Sequence, residues 1–484
     1  EKIYQRLAKQ GRLEEFLHQP VQVRDFSKVN FKVINDYVRA AREDRLNGYY
    51  GGVHPSERKE FSEHIALKKF PDPKTVVISM SQHLGAPANP IVEVGDTVKV
   101  GQKIGEAAGF ISAPVHSSVS GTVVAVEPRM HGTRGSEVMA VVIESDGKNT
   151  LHESVQPHKD LDSLTPDEII DIIREAGIVG MGGAGFPTRV KLSPKEPDKI
   201  DYIIANCAEC EPYITADYRR MLENPELLVE GMRVILKLFD NAKGLFAIED
   251  NKPDCIAKLK ELTKDEPRME VREMMTKYPQ GAERQLIFAN TGRAINSTML
   301  PADAGCVVDN VETIISIYNA VVKGIPSMER VVTVTGDGVV NPGNYKVLFG
   351  TNQNELIEAA GGLKEGCEKV ISGGPMMGFA MYTTDTPITK TSSSILCMSK
   401  DEVSACEPTA CINCGRCVDA CPSRIIPSRL ADFAERHDEE AFLKFNGLEC
   451  VECGSCSYVC PAKRQLKQAI GSMRKTALAN KKKK

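Results

Sequence analysis

One cysteine spacing occurs twice near the carboxyl end: residues 411–422 read CINCGRCVDACP, and residues 450–461 read CVECGSCSYVCP. Both fit C-x-x-C-x-x-C-x-x-x-C-P, a run that supplies thiolates to cubane iron–sulfur clusters. Each [4Fe–4S] cluster takes four thiolates, and in paired runs the last cysteine of one run serves the other cluster. The spacing therefore predicts two clusters, one held by Cys411, Cys414, Cys417 and Cys460 and the second by Cys450, Cys453, Cys456 and Cys421.

Structural zinc and disulfide bonds are the alternatives for these cysteines. Zinc sites take Cys or His in pairs with a longer gap between the pairs, not triplets followed by Cys-Pro. The chain has 15 cysteines, and those outside the two runs are scattered and odd in number, which does not favour a disulfide framework. Gly415, Gly454 and Ser455 leave room for backbone N–H groups to point at the sulfurs. Thiolate ligation together with free thiols indicates a reducing, cytoplasmic setting.

The totals for the whole chain narrow the class of protein. A length of 484 residues is too great for one hydrophobic core and predicts several domains. A net charge of −4 argues against general nucleic-acid binding. No stretch approaches about 18 consecutive apolar residues, so we expect no transmembrane segment. Cationic residues crowd the chain from Lys463 onward, where no acid occurs, and they predict a loose basic tail.

Changes in residue pattern predict a multidomain chain of mixed α/β and α+β class. Its segments are an N-terminal helical extension (1–50), a barrel-sandwich-like β module (51–150), a central α/β domain (151–325), a β-grasp module (326–395), a helical, ferredoxin-like two-cluster domain (396–470) and a basic tail (471–484). The extension has apolar residues at helical intervals, which fits packing on its own chain or docking on a partner subunit.

The β module is rich in Gly, Pro and β-branched residues. Strands are predicted at 75–79, 91–94, 121–126 and 138–143. Residues 94–105 (VGDTVKVGQKIG) predict a hairpin. The pattern resembles biotinyl and lipoyl carrier domains, which present a modifiable Lys on the following turn. Residues 106–110 at this turn read EAAGF, so the resemblance implies a scaffold without the carrier function.

A glycine-rich stretch follows a predicted helix that begins after Thr165. Residues 180–188 read GMGGAGFPT, a composition that leaves backbone N–H groups free to form an anion-binding nest. The stretch lacks the G-K-[ST] of a P-loop and is not a clean G-x-G-x-x-G, so a phosphate-binding loop and a plain turn both remain open. A buried-type strand at 201–206 leads into the polar segment 206–212 (NCAECEP), and ligands of open α/β sheets bind beyond such strand ends.

The α/β alternation continues after this segment. Helices are predicted at 223–240, 253–263 and 307–322, and strands at 244–248 and 270–274. Two later strands and a short helix, at 330–335, 343–348 and 356–360, resemble a soluble-ligand-binding β-grasp module.

The order of these segments resembles the C subunit of the Rnf complex, an ion-translocating ferredoxin:NAD⁺ oxidoreductase. The resemblance runs from Gly51 to about Lys467, after the extension. Its specific stretches are GGVHPSERK (51–59), QHLGAP (82–87), the loop 180–188, AECEPYI (208–214) and the two cysteine runs.

The middle of the chain is also similar to the flavin-bearing, NADH-oxidising subunit of respiratory complex I. That family holds FMN in a GRGGAGFPT loop followed by a Lys, and its NADExEP, GEETAL and NNVET segments match residues 206–212, 281–286 and 309–313. The similarity implies contacts with FMN or NAD(H) from Gly180, Gly182, Gly183, Gly185, Phe186, Lys191, Asn206, Glu209, Glu211, Glu283, Asn310 and Thr313. The chain departs from the pattern at Ala208, Ala282 and Asp309, which leaves the contacts at those positions open.

These resemblances imply a peripheral subunit that passes electrons into or out of a membrane complex. NADH gives up two electrons as a hydride, whereas a cubane takes one at a time, so a flavin is needed between them. The implied partners are NADH and the other subunits of a membrane-bound Rnf-type complex, including a ferredoxin-like cluster subunit, at the cytoplasmic face of the cell membrane. Two alternatives stay open. One is a soluble NADH-linked electron-transfer protein that feeds another reductase, such as one of the proline-reductase type, and the other is a non-catalytic cluster relay.

Overall fold

The computed structural model describes residues 48–131, 135–158 and 160–483. The helical extension predicted over residues 1–50 lies outside these ranges apart from its last three residues.

The first module is built on two facing sheets, and its first strand joins the sheet of a later module. Its strands are β1 (Lys68–Lys69), β2 (Thr75–Ser79), β3 (Asn89–Pro90), β4 (Thr97–Val98), β5 (Lys103–Glu106), β6 (Val115–His116), β7 (Gly121–Met130) and β8 (Glu137–Ser145). One sheet has the order β2-β8-β7-β4 and the other the order β3-β5-β6. Val98, Ile104 and Val141 lie in the core between them and are fully buried. This arrangement is the predicted barrel sandwich.

The hairpin predicted over residues 94–105 is wrong. Strand β4 pairs with β7, whereas β5 pairs with β3 and β6, so the two strands belong to different sheets. Val98 and Ile104 point into the same core from opposite sides, and the chain crosses between the sheets after β4. The strand predicted at 91–94 is also wrong, because the Asp96 carboxylate accepts the backbone N–H of Glu93 and turns the chain there.

The central domain is a parallel sheet covered by helices. Its strands are β9 (Tyr202–Cys207), β10 (Lys243–Glu249), β11 (Met269–Met274) and β12 (Cys306–Asn310), in the order β11-β10-β9-β12. Its helices are α1 (Pro166–Glu175), α2 (Thr188–Lys191), α3 (Ala216–Glu223), α4 (Pro225–Leu236), α5 (Pro253–Thr263), α6 (Glu283–Thr291) and α7 (Val311–Val321). Thr165 and Glu168 form a capping box that starts α1 as predicted. Because the strands run parallel, the carboxyl ends of β9 and β12 meet at one edge.

The predicted helix from residue 307 starts four residues later than expected. Residues 307–310 belong to β12, and the Asn310 side chain accepts the Glu312 N–H and caps α7. Asn310, the last residue of β12, therefore lies at the edge of the sheet, immediately before α7.

The β-grasp module shares its sheet with the first module. Its strands are β13 (Glu329–Thr335), β14 (Gly343–Leu348), β15 (Lys369–Ser372), β16 (Phe379–Ala380) and β17 (Ser394–Met398), and its helix is α8 (Gln353–Ala359). The sheet order is β1-β14-β13-β17-β15-β16, and β1 of the first module forms its edge. Lys68 on β1 pairs in register with Tyr345 on β14. The two modules are thus joined by backbone hydrogen bonds.

The last domain is helical and carries both cysteine runs. Its helices are α9 (Arg416–Asp419), α10 (Pro427–Glu435), α11 (Glu439–Lys444), α12 (Ser455–Tyr458) and α13 (Leu466–Lys483). The loose tail predicted after residue 470 is wrong, because α13 continues through most of it. Leu466, Ile470 and Met473 recur at helical spacing and are buried in the core of this domain.

The predicted mixed α/β and α+β class, with a barrel-sandwich module, a central flavin-type domain, a β-grasp module and a helical cluster domain, is confirmed. Within the described ranges, no helix combines the length and the apolar character needed to cross a bilayer.

Candidate functional site

The glycine-rich loop folds back on itself beside the ends of β9 and β12. Gly180 N donates to Phe186 O at 2.9 Å and closes the loop as a short hairpin that leads into α2. Gly185 has a φ of +70°, and a Cβ there would lie 2.8 Å from Thr391 Cγ2. The path of the loop therefore requires glycine at this position.

Two side chains at the start of α7 hold the loop from behind. Thr313 Oγ1 accepts the Met181 N–H at 2.9 Å, and both residues are buried. Asn310 packs against Gly182, where a Cβ would approach Asn310 Cβ to 2.9 Å. Gly183 differs, since it lines a cavity and a Cβ there would have no atom within 4 Å. The backbone at Gly183 is thus open to a ligand while its neighbours are fixed.

A cavity of about 1510 Å³ lies between this loop, the ends of β9 and β12, and the cluster domain. Pockets for one small ligand usually enclose about 300–1,000 Å³, so this cavity has room for a flavin and a dinucleotide together. All the residues predicted to contact FMN or NAD(H) line it except Thr313: Gly180, Gly182, Gly183, Gly185, Phe186, Lys191, Asn206, Glu209, Glu211, Glu283 and Asn310.

The carboxylates of the acidic segment already accept hydrogen bonds from the protein. Glu209 accepts two backbone N–H groups at the start of α3, at 2.7 and 3.2 Å. Glu211 accepts those of Met376 and Met377, at 3.2 and 2.8 Å, and so ties the β-grasp module to the cavity. Lys59 of the first module donates to the carbonyl oxygen of Glu209 at 2.9 Å. Burial raises the pKa of both glutamates, and these contacts fix them as parts of the wall.

Lys191 is a fixed positive charge in the lining. Its Nζ donates to Val308 O at 2.8 Å and lies 3.4 Å from Asp309 Oδ1 and 3.8 Å from Glu283 Oε1. Burial disfavours the ammonium ion, but the two carboxylates outweigh it and raise the pKa of Lys191. Asp309 stands where the complex I pattern has Asn, and here it serves as a counter-ion to this lysine.

Asn206 connects the end of β9 to the turn before α6. Its Nδ2 donates to Gly281 O at 2.8 Å, and Gly281 N in turn donates to Cys210 Sγ at 3.3 Å. The turn that carries Ala282 and Glu283 is thereby held against the strand end.

Asp217 is a residue of the lining that the sequence pattern did not predict. Asn310 Nδ2 donates to Asp217 Oδ2 at 2.6 Å, beside Gly182 of the glycine-rich loop. Burial, with a further contribution from the charge of Glu209, raises the pKa of Asp217 to about 7. In the sequence, Asp217 is visible only as a third acid soon after Glu209 and Glu211. Because no helix was predicted over α3, the pattern did not indicate that this side chain lies at the site.

The two cysteine runs follow the same backbone path. Asn413 and Glu452 both have a φ of 55°, and Gly415 and Gly454 have φ values of 77° and 82°. Each run then enters a four-residue helix, α9 or α12. The N–H groups of Asn413 and Glu452 each donate to the sulfur of the first cysteine in their run, at 3.4 Å. In each run a backbone N–H group therefore points at the sulfur of the first cysteine.

Four of the eight cysteines differ clearly in burial. We call the predicted ligand set that contains the two buried ones (Cys421, Cys450, Cys453 and Cys456) the inner set, and the other (Cys411, Cys414, Cys417 and Cys460) the outer set. Cys421 and Cys453 are buried, and Cys453 lines the cavity. Cys411 and Cys414 are instead exposed at the surface. Among the residues that the structure describes, no three His, Cys, Asp or Glu side chains surround the position of a single ion. In a [4Fe–4S] cluster each thiolate binds a different iron, so the four sulfurs surround a larger volume than the ligands of a single ion do.

Tyr278 joins the cavity to the inner cysteine set. Its hydroxyl donates to Cys453 O at 2.7 Å, and the side chain is 1% exposed while lining the cavity. Glu449, just before the second run, accepts the Ser297 N–H at 2.9 Å and pairs with Arg284 at 2.8 Å. The cysteine loop is thus bound firmly to the central domain.

Four family models match successive parts of the chain. They are the RnfC barrel sandwich hybrid domain (47–148), the Nuo51 FMN-binding domain (173–319), the SLBB domain (331–380) and the 4Fe-4S dicluster domain (410–463). The FMN-binding match contains the glycine-rich loop and the start of α7, and the dicluster match contains both cysteine runs.

Curated relatives match over most of the chain. It is 45% identical to the C subunit of the Na(+)-translocating ferredoxin:NAD(+) oxidoreductase complex of Acetobacterium woodii, over 90% of this chain and 98% of that protein. It is 46% identical to the proton-translocating counterpart of Clostridium ljungdahlii, over 88% of this chain and 93% of that protein. The C subunit of the ion-translocating oxidoreductase complex of Serratia proteamaculans is 38% identical over 83% of this chain and 57% of its own length. A solved NAD⁺-reducing [NiFe]-hydrogenase shares a TM-score of 0.46 and 18% identity, over 68% of this chain and 67% of that one.

The four family models follow one another along the chain in the order of the modules described above. The chain belongs to the family of C subunits of ion-translocating ferredoxin:NAD⁺ oxidoreductases, and it has an FMN-binding domain and a 4Fe-4S dicluster domain.

Proposed function

We propose that this chain exchanges a hydride with NAD(H) at FMN in the central cavity and passes single electrons through two [4Fe–4S] clusters. One observation carries the proposal: Cys453, a predicted cluster ligand, lines the same cavity as the glycine-rich loop. Residues suited to a flavin, which takes two electrons, and a residue suited to an iron–sulfur cluster, which takes one, therefore line the same cavity.

The residues of the cavity fit FMN. The open backbone at Gly183 and the N–H groups of the loop suit a phosphate, and the same lining contains the ammonium group of Lys191 with its counter-ion Asp309. Phe186 offers a ring for stacking from the end of the same loop. When bound, FMN supplies the link between a hydride donor and one-electron acceptors.

The protein side chains position the reactants and exclude water. Glu209 and Glu211 have their carboxylates engaged by backbone N–H groups, so they shape the cavity from fixed positions. Tyr278 holds the inner cysteine loop against the cavity through its 2.7 Å hydrogen bond to Cys453 O. A hydride carries its own electrons, so the proposal assigns no general base.

The inner and outer cysteine sets define a direction through the last domain. We assign the cluster nearer the cavity to Cys421, Cys450, Cys453 and Cys456, and the one nearer the surface to Cys411, Cys414, Cys417 and Cys460. The outer loop is exposed, and Ile412 within it is 66% exposed. A ferredoxin-like cluster subunit of the complex is the partner that we expect at this loop.

The names of the relatives support a place in a larger assembly. They are described as subunits of sodium-, proton- or ion-translocating oxidoreductase complexes. We therefore propose that this chain is a peripheral subunit at the cytoplasmic face of a membrane complex, with NADH as its soluble substrate.

An anaerobic titration tests the proposal. The full chain is loaded with FMN, iron and sulfide, analysed for about eight irons per chain, and mixed with NADH while absorbance is followed. We expect loss of the flavin band together with loss of cluster absorbance. The matched variant Cys421→Ser should keep the flavin response and lose the response of the inner cluster. A chain that holds its irons but takes up no flavin and does not respond to NADH would instead be a relay between clusters.

A further inference from the structure

The turn between β5 and β6 reaches from the first module to the cavity. It occupies residues 107–114, the position where the carrier domains that this module resembles present a lysine. Ser112 fixes the turn, because its hydroxyl donates to Ala86 O at 2.9 Å and accepts the Ala108 N–H at 3.0 Å. The turn also carries Phe110, which lines the cavity. The first module therefore contributes a side chain to a site otherwise built by the central and cluster domains.

Phe110 is held in place although it is 70% exposed. The guanidinium carbon of Arg189 lies 4.9 Å from the centre of its ring, and Arg189 also donates to Phe110 O at 2.6 Å. A large apolar ring gains little from such an exposed position, since burial is what stabilises it. The cation–π contact and the hydrogen bond to α2 instead keep the ring at the cavity, where it can present a π surface.

The chemistry around Phe110 suits the base and phosphates of a nucleotide. Ser193, Pro194, Lys195, Glu196 and Lys199 follow α2 along the same lining. Lys199 pairs with Glu196 at 2.6 Å, and Lys195 adds a positive charge on the segment beside Arg189. A nucleotide base stacks on an aromatic ring whatever its hydrogen-bonding pattern, and lysines attract the phosphates attached to it. Cys453, a proposed cluster ligand, and Tyr278, which anchors it, come from other segments of the lining.

We infer that Phe110 is a specificity residue on which the adenine ring of NAD(H) stacks, so that the first module completes the dinucleotide site. The inference rests on the proposed function and adds to it, because neither the flavin domain nor the cluster domain supplies this ring. The redox reaction takes place at the nicotinamide, and the adenine is the other planar ring of the dinucleotide. The inferred role of Phe110 is therefore binding, not catalysis.

Steady-state kinetics of the loaded full chain with an artificial electron acceptor test this role. Stacking of one base contributes roughly 1–3 kcal/mol, which corresponds to about a 5- to 150-fold change. Phe110→Ala should raise the KM for NADH within this range and leave kcat and the FMN content unchanged. Reduced nicotinamide mononucleotide lacks the adenine, so its KM should be the same in the variant and in the unaltered protein. Phe110→Tyr should restore the KM for NADH, and Phe110→Leu, which keeps an apolar side chain but no π surface, should not.

Val94→Ala is the matched control, because Val94 is an apolar residue of the same module, is 65% exposed, and does not line the cavity. It should change neither KM. An unchanged KM for NADH in Phe110→Ala would overturn the inference, and so would equal increases for NADH and for the mononucleotide. Failure of the unaltered protein to oxidise NADH would instead refute the proposed function, and the inference with it.

Discussion

Replacing Thr313 by Val should loosen the glycine-rich loop while leaving the shape of the core nearly unchanged. Thr313 is fully buried, and its hydroxyl accepts the Met181 N–H at 2.9 Å. Val has almost the same volume but no oxygen, and Met181 is itself only 1% exposed. An unsatisfied buried donor costs about 1–3 kcal/mol. A loss of about 2 kcal/mol should lower the melting temperature of a domain of this size by roughly 4–8 °C.

The same substitution should weaken flavin binding, because the loop that we propose to hold FMN loses an anchor. A loss of about 1–2 kcal/mol in loop order corresponds to a roughly 5- to 30-fold rise in the Kd for FMN. Thermal unfolding of the flavin-free chain and fluorescence titration with FMN measure the two effects separately.

Thr313→Ser is the control for this prediction, since it removes a methyl group but keeps the accepting oxygen. It should bind FMN as the unaltered protein does, although the lost methyl group lowers its stability somewhat. A Thr313→Val variant that melts and binds FMN like the unaltered protein would refute the role given to this hydrogen bond.

Three other predictions use different parts of the site. Gly182→Ala should destabilise the protein, because its Cβ would lie 2.9 Å from Asn310 Cβ. Gly183→Ala has space for its Cβ, so it should keep the melting temperature but weaken FMN binding. Equal effects of the two variants on the melting temperature would contradict this prediction. Tyr278→Phe removes the donor to Cys453 O and should slow cluster reduction by NADH in stopped-flow experiments at unchanged FMN content, and an unaltered rate would argue against the anchoring role. Burial raises the pKa of Asp217 to about 7 from about 3.9 in the unfolded chain, so the native state binds this proton more tightly and loses stability as the pH rises from about 4 to 7. Asp217→Asn cannot lose a proton at this position, so it lacks this loss of stability. The difference between its melting temperature and that of the unaltered protein should therefore rise between pH 5 and about pH 8 and then level off. A difference that stays constant with pH would contradict the raised pKa of Asp217.

Local patterns predicted the elements whose determinants are close together in sequence. The N-cap at Thr165 and the spacing of the cysteine runs each lie within a few residues. The hairpin at 94–105 was wrong because alternation shows which side chains face a core, not which strand pairs with which. The ordered helix α13 was not predicted because its many lysines mask the apolar spacing of Leu466, Ile470 and Met473.

Family resemblance led to the cavity residues but not to the contacts between them. The partners of the acidic segment are remote in sequence: Lys59 lies 150 residues before Glu209, and Met376 lies 165 residues after Glu211. In the sequence, Phe110 is only one residue of a turn that lacks a lysine. Its place in the cavity depends on how the first module packs against the central domain, and no local pattern encodes that packing.

The interfaces between modules contain buried ionisable side chains with hydrogen-bond partners across the interface. These contacts explain why a cavity built by several modules can keep one shape. Lys390 is fully buried and donates to Pro114 O in the first module and to Gly177 O in the central domain, and burial lowers its pKa to about 7. Lys59 and Glu211 make similar contacts across other interfaces. Each of these groups has its hydrogen-bond partners in another module, and a fully satisfied buried network keeps the modules in one relative position. Other contacts hold the inner cysteine loop to the central domain, from Tyr278 to Cys453 O and from Ser297 N to Glu449. They fix the separation between the glycine-rich loop and the inner cysteine set, and the proposed electron transfer, which depends steeply on distance, requires such a fixed separation.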